Sequence, residues 1–150
     1  MQLRAASEAD EAFLAALLAS TRPVEVAAMP SPQAAEQLFA MQRRGQRAAW
    51  LGVPGTSEQV VLVDAAPAGH LVVREGEGEL RLVDISLLPE HRGEGIGTEL
   101  IGELQARAAA AGVPLVLHVD VGSAAERLYA RLGFIAEARD QVRVAMRWIS

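Results

Sequence analysis

The stretch VDISLLPEHRGEGIGT, residues 83–98, decides the fold class of this chain. Alternation of side-chain character before its proline predicts a β-strand over residues 79–88. Three glycines then lead into an apolar stripe at helical spacing that begins at Ile96. A continuous apolar strand at 115–119 follows that helix. The segment therefore predicts a strand–loop–helix–strand crossover with two parallel strands.

The remainder of the chain predicts helices and antiparallel strands around this crossover. One helix follows Ser7, and a second follows Ser31 and ends at Gly45. Short strands before residue 88 are separated by turns, one of them over residues 65–69, and predict an antiparallel meander. We expect a single domain, residues 1–150, with a mixed α/β fold and a mostly antiparallel sheet.

Composition excludes several kinds of chemistry. The 150 residues carry a net charge of −5 and include no Cys, although 51% of them are hydrophobic. The sequence contains no Lys and no Asn either. Disulfides, cysteine nucleophiles, Schiff bases and the P-loop lysine are therefore impossible. The acidic charge disfavours a nucleic-acid partner, no apolar run is long enough for a membrane span, and nothing resembles a secretory signal. We expect a cytoplasmic protein.

The glycine-rich loop is suited to binding phosphate. A helix N-terminus offers unpaired N–H groups and a positive dipole end, and glycines let a phosphate approach that backbone. Arg92 adds a permanent positive charge. A Walker loop needs lysine, and the dinucleotide fingerprint needs an early parallel strand before the loop. Neither pattern fits this chain.

The motif Arg92-x-x-Gly95-x-Gly97 resembles the acetyl-CoA pyrophosphate loop of the GNAT acetyltransferases. A second motif of that family is similar to Leu128-Tyr129 followed by Gly133-Phe134, and the close match spans residues 80–134. The resemblance implies acetyl-CoA as co-substrate and no metal ion. The residues it implies for cofactor binding are Leu87, Leu88, Arg92, Gly93, Glu94, Gly95, Ile96, Gly97 and Thr98.

The resemblance also implies a mechanism. Tyr129 corresponds to the family's acid that protonates the CoA sulfur, and backbone N–H groups of Leu87 and Leu88 correspond to those that hold the acetyl oxygen and pantetheine. Because the chain has no Cys, a covalent acetyl-cysteine intermediate is excluded. We therefore expect direct transfer within a ternary complex.

The general base is left open by the sequence. Some family members carry a Glu early in the strand before the loop, where this chain has Arg81. Glu79 and Asp84 are the candidate bases nearby, on opposite faces of that strand. His70 and His118 have suitable intrinsic pKa values. A water chain, or an amine that arrives neutral, would serve equally well.

The acceptor and the oligomeric state are also open. We expect a small-molecule or peptide amine as acceptor. Alternatives are an acyl-CoA-binding module without turnover, transfer of another acyl group, and transfer to a hydroxyl. Many relatives have Asn where this chain has Gly122, seven residues before the tyrosine. A homodimer, as is common in the family, could pair the strand at 142–148.

Overall fold

A computed structural model describes residues 1–150 as a mixed α/β protein. The strands are β1 (Gln2–Ala5), β2 (Thr56–Val63), β3 (Ala66–Glu75), β4 (Leu80–Leu87), β5 (Leu115–Asp120), β6 (Ile135–Arg139) and β7 (Arg143–Trp148). The helices are α1 (Glu11–Ser20), α2 (Pro23–Ala27), α3 (Pro32–Leu51), α4 (Ile96–Ala111) and α5 (Ala124–Arg131). Single 3₁₀ turns at Glu8–Asp10 and Pro89–His91 precede α1 and the glycine loop.

All seven strands belong to one sheet, in the order β1-β2-β3-β4-β5-β7-β6. β1 with β2, β5 with β7, and β6 with β7 are antiparallel, whereas β4 and β5 are parallel. The chain crosses from β4 to β5 through α4, which is the connection expected between parallel neighbours. The predicted mixed fold, with one parallel crossover in a mostly antiparallel sheet, is confirmed.

The chain divides into two compact units. The first comprises Met1–Val72 and Asp84–Glu94, and the second comprises Val73–Val83 and Gly95–Ser150. In the first unit α1 packs on α3, and Leu17 and Phe39 are fully buried. In the second unit α4 and β5 supply buried residues such as Leu104 and Leu117. Burial of such side chains contributes roughly 1.5–3 kcal/mol each.

The helix that follows Ser31 is longer than the sequence predicts. Ser31 caps it as expected, because its Oγ accepts the Ala34 N–H at 3.1 Å. Gly45 does not end the helix, which continues to Leu51. A glycine inside a helix costs only about 1 kcal/mol relative to alanine. The buried ion pair of Arg43 with Glu58 and the ring contact of Trp50 with His70, on either side of Gly45, outweigh that cost.

The turn predicted at 65–69 is also wrong. The chain reverses at Asp64 and Ala65, whose φ angles are 51° and 66°, and β3 begins at Ala66. Two successive positive φ angles define a tight hairpin turn whose twist matches that of the flanking strands. The sequence reading attached the turn to Pro67 and Gly69, which instead lie within β3. It also missed β1 and α2, two elements of only four and five residues.

Candidate functional site

The parallel ladder between β4 and β5 is short. It pairs Leu80 with Leu115 and Arg81 with Val116, although β4 continues to Leu87. The ladder thus ends near the start of β4. Backbone groups on that side of the rest of β4 are left for other partners.

At the end of β4, one of two successive backbone N–H groups points towards the neighbouring strand β3 and the other points away from it. The Leu88 N–H donates to the Ala68 carbonyl at 2.8 Å, so it already has a partner. Because successive N–H groups of a strand point to opposite sides, the Leu87 N–H points away from β3. Gly69 makes this close approach possible, since a Cβ there would lie 2.5 Å from the Ser86 carbonyl oxygen. Of the two N–H groups considered in the sequence, only that of Leu87 is turned away from β3.

The Arg92 side chain lies beside the end of β4. Its Nε donates to the Leu87 carbonyl at 3.0 Å, and its Nη2 donates to Ser20 Oγ, at the end of α1, at 3.5 Å. These contacts hold the guanidinium at the entrance of the glycine loop while the residue stays exposed. A fixed and exposed guanidinium is suited to binding an anion.

The glycine loop opens directly into the N-terminus of α4. Gly93 and Gly95 have φ angles of +80° and +84°, a conformation that favours glycine. Gly95 is the N-cap residue and supplies no side-chain cap. A Cβ at Gly93, Gly95 or Gly97 would meet nothing within 4 Å, so this backbone is open on its outer side. No N-cap side chain therefore occupies the first N–H groups of α4, and the open loop leaves room for an anion beside them.

Tyr129 lies on α5 and only 6% of it is exposed. Its ring packs against Phe134, with the ring centres 5.4 Å apart. Ser123 caps α5 by accepting the Glu126 N–H at 3.1 Å. Gly122 has a φ of +74°, a region that Asn tolerates better than most residues. The glycine at this position therefore keeps the backbone conformation that the relatives' Asn can adopt, but not its amide.

The candidate bases fall into two separate groups. Glu79 accepts from Arg81 Nε at 3.0 Å, and Arg81 Nη1 lies 3.1 Å from His118 Nδ1. Burial lowers the pKa of His118, and the nearby charges of Arg143 and Arg81 lower it further. A neutral His118 therefore accepts a hydrogen bond from Arg81.

Asp84 belongs to the other group, which is mostly buried. Asp84 Oδ2 lies 3.3 Å from His70 Nδ1, and His70 Nε2 lies 2.9 Å from Glu58 Oε2. Arg43 Nη1 donates to the same Glu58 oxygen at 3.0 Å. The side chains of Arg43, Glu58 and His70 are 2%, 3% and 5% exposed, whereas that of Asp84 is 42% exposed. The series thus runs from buried Arg43 to half-exposed Asp84.

Sequence reasoning singled out His70 and Asp84 but missed Arg43 and Glu58. A signal was present, because Arg43 follows Phe39 by one helical turn and so shares its buried face. Glu58 likewise shares a strand face with the buried Val60. Neither residue was assigned a role from the sequence. Only the tertiary structure brings them together.

The hydrogen bonds of this group determine its charge state. Burial alone would raise the pKa of Glu58, but hydrogen bonds from His70 and Arg43 outweigh it and hold that pKa at about 2. Burial likewise opposes a charge on His70, yet its hydrogen bonds to Asp84 and Glu58 raise its pKa. The buried carboxylate and the imidazole are therefore both charged near neutral pH.

We expect the stability of the protein to fall in acid because of Glu58. Its pKa is lowered from 4.5 to about 2, so the stabilisation is complete above 4.5 and is lost as the pH falls towards 2. Urea unfolding measured from about pH 6 to about pH 3 should show this loss. Glu58→Gln should be less stable at pH 6 and should show a shallower pH dependence.

The exposed Glu75 on β3 provides the matched control for this prediction. Its partner is Arg107, and 69% of its side chain is exposed. Glu75→Gln should retain the wild-type dependence on pH. If the free energy of unfolding changed equally with pH in Glu58→Gln and in the wild type, the role given to Glu58 would be contradicted.

Comparisons with known proteins agree with this architecture. The sequence profile of the acetyltransferase (GNAT) family matches residues 20–134. The PaiA N-acetyltransferase of Thermoplasma acidophilum, solved with coenzyme A, aligns over 99% of this chain and 98% of its own, with a TM-score of 0.73 and 17% identity. A point mutant of spermidine N-acetyltransferase SpeG from Vibrio cholerae aligns over 99% and 95%, with a TM-score of 0.67 and 20% identity. Nourseothricin acetyltransferase shares 28% identity over 64% of this chain and 66% of its own, with a TM-score of 0.54. A search of curated proteins finds no match.

The fold and the glycine loop together define an acetyltransferase architecture. The family profile covers more than three-quarters of the chain, including the loop and the helix that carries Tyr129. The chain belongs to the GNAT acetyltransferase family. None of its helices is long and apolar enough to cross a membrane.

Proposed function

We propose that this protein transfers an acetyl group from acetyl-CoA to a primary amine, by direct attack within a ternary complex. The loop from Arg92 to Thr98 carries the proposal, because its open backbone, bare helix N-terminus and fixed guanidinium match the needs of a pyrophosphate. The coenzyme A bound by the PaiA relative supports the same co-substrate. Glu94, within the loop, pairs with His91 at 3.1 Å.

The remaining cofactor contacts are proposed from the backbone. The Leu87 N–H, turned away from β3, is the donor proposed for the acetyl oxygen. Because the Leu88 N–H already donates to Ala68, the Leu88 contact to pantetheine is proposed through its carbonyl, which accepts the His91 N–H at 2.9 Å and has a second lone pair. The first N–H groups of α4, from Ile96 to Thr98, are proposed to bind the pyrophosphate.

The chemistry proposed for the transfer balances as follows. An acceptor ammonium loses one proton to a base, and its nitrogen attacks the thioester carbonyl carbon. A C–N bond forms, the C–S bond breaks, and the thiolate takes a proton from Tyr129. The second proton of the amine returns the tyrosine to its phenol form, so the products are the amide, CoA thiol and one released proton.

Tyr129→Phe should reduce kcat without weakening acetyl-CoA binding. Removing a general acid typically lowers a rate by about 10²–10⁴-fold. The phenyl ring preserves the packing on Phe134. A stopped assay measures kcat, and calorimetry measures the Kd for acetyl-CoA. Both are measured on the same preparation, so the effect on turnover is separated from the effect on binding. A kcat within twofold of wild type would remove the acid role.

The acceptor is proposed to be a cationic or neutral amine with an apolar part. A groove of about 650 Å³ runs along α1 and α3 and is lined largely by alanines, with Phe39 in its wall. Ala19 lines the groove, and the next residue, Ser20, contacts Arg92. This adjacency and the apolar lining favour an acceptor with a hydrophobic body.

A thiol-release screen tests the proposal. Calorimetry with acetyl-CoA comes first, followed by turnover with phenethylamine, spermidine, an amino acid and a peptide with a free N-terminus. Spermidine is included because the Vibrio cholerae relative is a spermidine N-acetyltransferase. We expect binding of acetyl-CoA and amine-dependent release of CoA thiol. No binding at millimolar acetyl-CoA would refute the proposal.

A second candidate function is acyl-CoA binding without turnover. The observation that favours it is Arg81, which stands where some relatives carry a glutamate and is engaged with Glu79 and His118. Binding of acetyl-CoA with no thiol release from any acceptor supports this candidate. Release with octanoyl-CoA but not acetyl-CoA, or with a hydroxyl acceptor, would instead identify another acyltransferase.

We further propose that residues 1–150 act as one GNAT-like catalytic domain in the cytoplasm and form a homodimer. The profile match runs through both compact units, which supports a single functional domain. The edge strand is β6, because the strand predicted at 142–148 lies between β5 and β6 as β7. Ile135 on β6 and Val142 before β7 are 72% and 66% exposed, which supports an interface between copies at the β6 edge. Light scattering measures the mass in solution, and fractionation of the source cells tests the location.

A further inference from the structure

His70 is held so firmly that its side chain can set the position of a neighbour. Both ring nitrogens have a carboxylate partner, and the ring of Trp50 lies over it with centres 5.7 Å apart. Only 4% of the residue is exposed. A buried ring fixed by two hydrogen bonds and a stacked aromatic cannot reorient without losing all of these contacts.

The two carboxylate partners require the ring to carry a charge. An ionised carboxylate only accepts hydrogen bonds, so both Nδ1 and Nε2 must donate, which only the imidazolium does. The surrounding charges agree. Three acids, Glu11, Glu58 and Asp84, face two arginines, Arg43 and Arg47, and the imidazolium brings the formal charge of this group to zero.

Within the hydrogen-bonded series of Arg43, Glu58, His70 and Asp84, only Asp84 is close in sequence to the proposed acetyl site. It precedes Leu87 by three residues in β4, which is about 10 Å of extended strand. The Leu87 N–H lies in the plane of the sheet. An acetyl group bound to it is therefore accessible from the sheet face that carries the Asp84 side chain. The bound acetyl group and the Asp84 side chain each take up part of this distance, and one water molecule can carry the proton across the remainder.

We propose that Asp84 is the carboxylate that receives the acceptor's ammonium and takes its proton, and that His70 is the positioning residue that holds Asp84 for this task. The inference rests on the proposed amine acetylation and goes beyond it by assigning the base and its support. Glu58 and Arg43 act behind His70, as the groups that keep it oriented. The proton taken by Asp84 passes to solvent through its exposed side.

The hydrogen-bonded series is neither a metal centre nor an exposed ion pair. No group of three His, Asp or Glu side chains is arranged to hold a metal ion. An exposed pair would hold its members only weakly. Here the hydrogen bond to Asp84 comes from a buried donor, so the orientation of the carboxylate is determined by the core.

The dependence on pH follows from the groups that face His70. Glu58 on β2 and Asp84 on β4 contact the ring directly, and Arg43 and Arg47 on α3 pair with Glu58 and with Glu11 on α1. As pH rises through the raised pKa of His70, the ring loses a proton and one carboxylate loses its donor. Acceptor turnover should then decline relative to a variant with a permanent cation.

Two substitutions at His70 separate positioning from folding. We expect His70→Gln to lower kcat/KM for the best acceptor of the screen by about tenfold or more, with the acetyl-CoA Kd within twofold. His70→Arg keeps a permanent cation and two or more donors. It should restore most of the activity and remove the alkaline decline seen in the wild type. Asp84→Asn should lose at least as much activity as His70→Gln.

Glu75→Gln, on the same strand as His70, is the matched control, since its exposed partner Arg107 lies outside the series. It should keep wild-type kcat/KM and pH profile. The ¹⁵N shifts of His70 in the wild type give a readout independent of acceptor and variant folding, and both nitrogens should be protonated at pH 7.

The following outcomes would overturn the inference. Asp84→Asn or His70→Gln with kcat/KM within twofold of wild type would do so while leaving the proposed acetylation intact. An unprotonated His70 nitrogen at pH 7, or the same alkaline decline in His70→Arg, would also do so. If the wild type binds no acetyl-CoA or acetylates no amine, the proposed function fails first and the inference fails with it.

Discussion

Gly95→Glu is expected to weaken acetyl-CoA binding by about 100-fold or more, equivalent to about 2.8 kcal/mol. Gly95 caps α4 with a φ of +84°, and its outer side is open. Glutamate there would fill the space proposed for the pyrophosphate and place a negative charge against it. Like charges brought together in this way cost several kcal/mol. Titration calorimetry measures the effect.

Two further variants isolate its cause. Gly102→Glu makes the same change on the same helix, at an exposed position where a Cβ meets nothing within 4 Å, and should bind acetyl-CoA like the wild type. Gly95→Ala introduces the strain of a side chain at positive φ without the charge, and should bind with intermediate affinity. Retention of wild-type affinity by Gly95→Glu would place the ligand elsewhere.

Arg43→Met is expected to lower the free energy of unfolding by about 3–5 kcal/mol, because it removes the buried cation that pairs with Glu58 at 3.0 Å. Arg43 also pairs with Glu11 at 3.0 Å, so one substitution removes two ion pairs. For a domain of this size, the loss corresponds to a decrease in Tm of about 6–20 °C. Urea unfolding and calorimetric scans at neutral pH measure both quantities.

An exposed arginine is the control for this prediction. Arg22 pairs with Glu25 in a contact whose partners are 44% and 46% exposed. Arg22→Met should therefore change the stability by no more than about 1 kcal/mol. Combining Arg43→Met with Glu58→Gln also removes the buried carboxylate that has lost this partner, and should recover part of the loss. An Arg43→Met variant as stable as Arg22→Met would show that the buried pair contributes nothing.

Much of the architecture could be predicted from local patterns. The alternation in β4, the stripe of α4 and the glycines of the loop are properties of neighbouring residues, so the sequence identified the crossover and the loop. The helix cap at Ser31 was also predicted, because capping depends on a few adjacent residues. Errors arose where distant contacts outweighed local preference. Gly45 signalled a helix end, but packing on both sides kept the helix intact.

In the candidate site, too, some features follow from local sequence and others depend on distant contacts. Sequence by itself determined the family, the phosphate loop and the exclusion of cysteine and lysine chemistry, since each depends on residue identity and short spacing. It could not rank Glu79, Asp84, His70 and His118 as bases. The pKa values of His70 and His118 depend on burial and on charged partners from other strands.

Only the tertiary structure decided which of these groups lie together. Glu58, His70 and Asp84 come from three successive strands, and Arg43 from a helix, at separations of up to 41 residues in the chain. Strand pairing and helix packing bring them within hydrogen-bond distance in an interior from which water is excluded. Charges in such an interior must be paired, whereas the same residues in an unfolded chain would each be solvated separately.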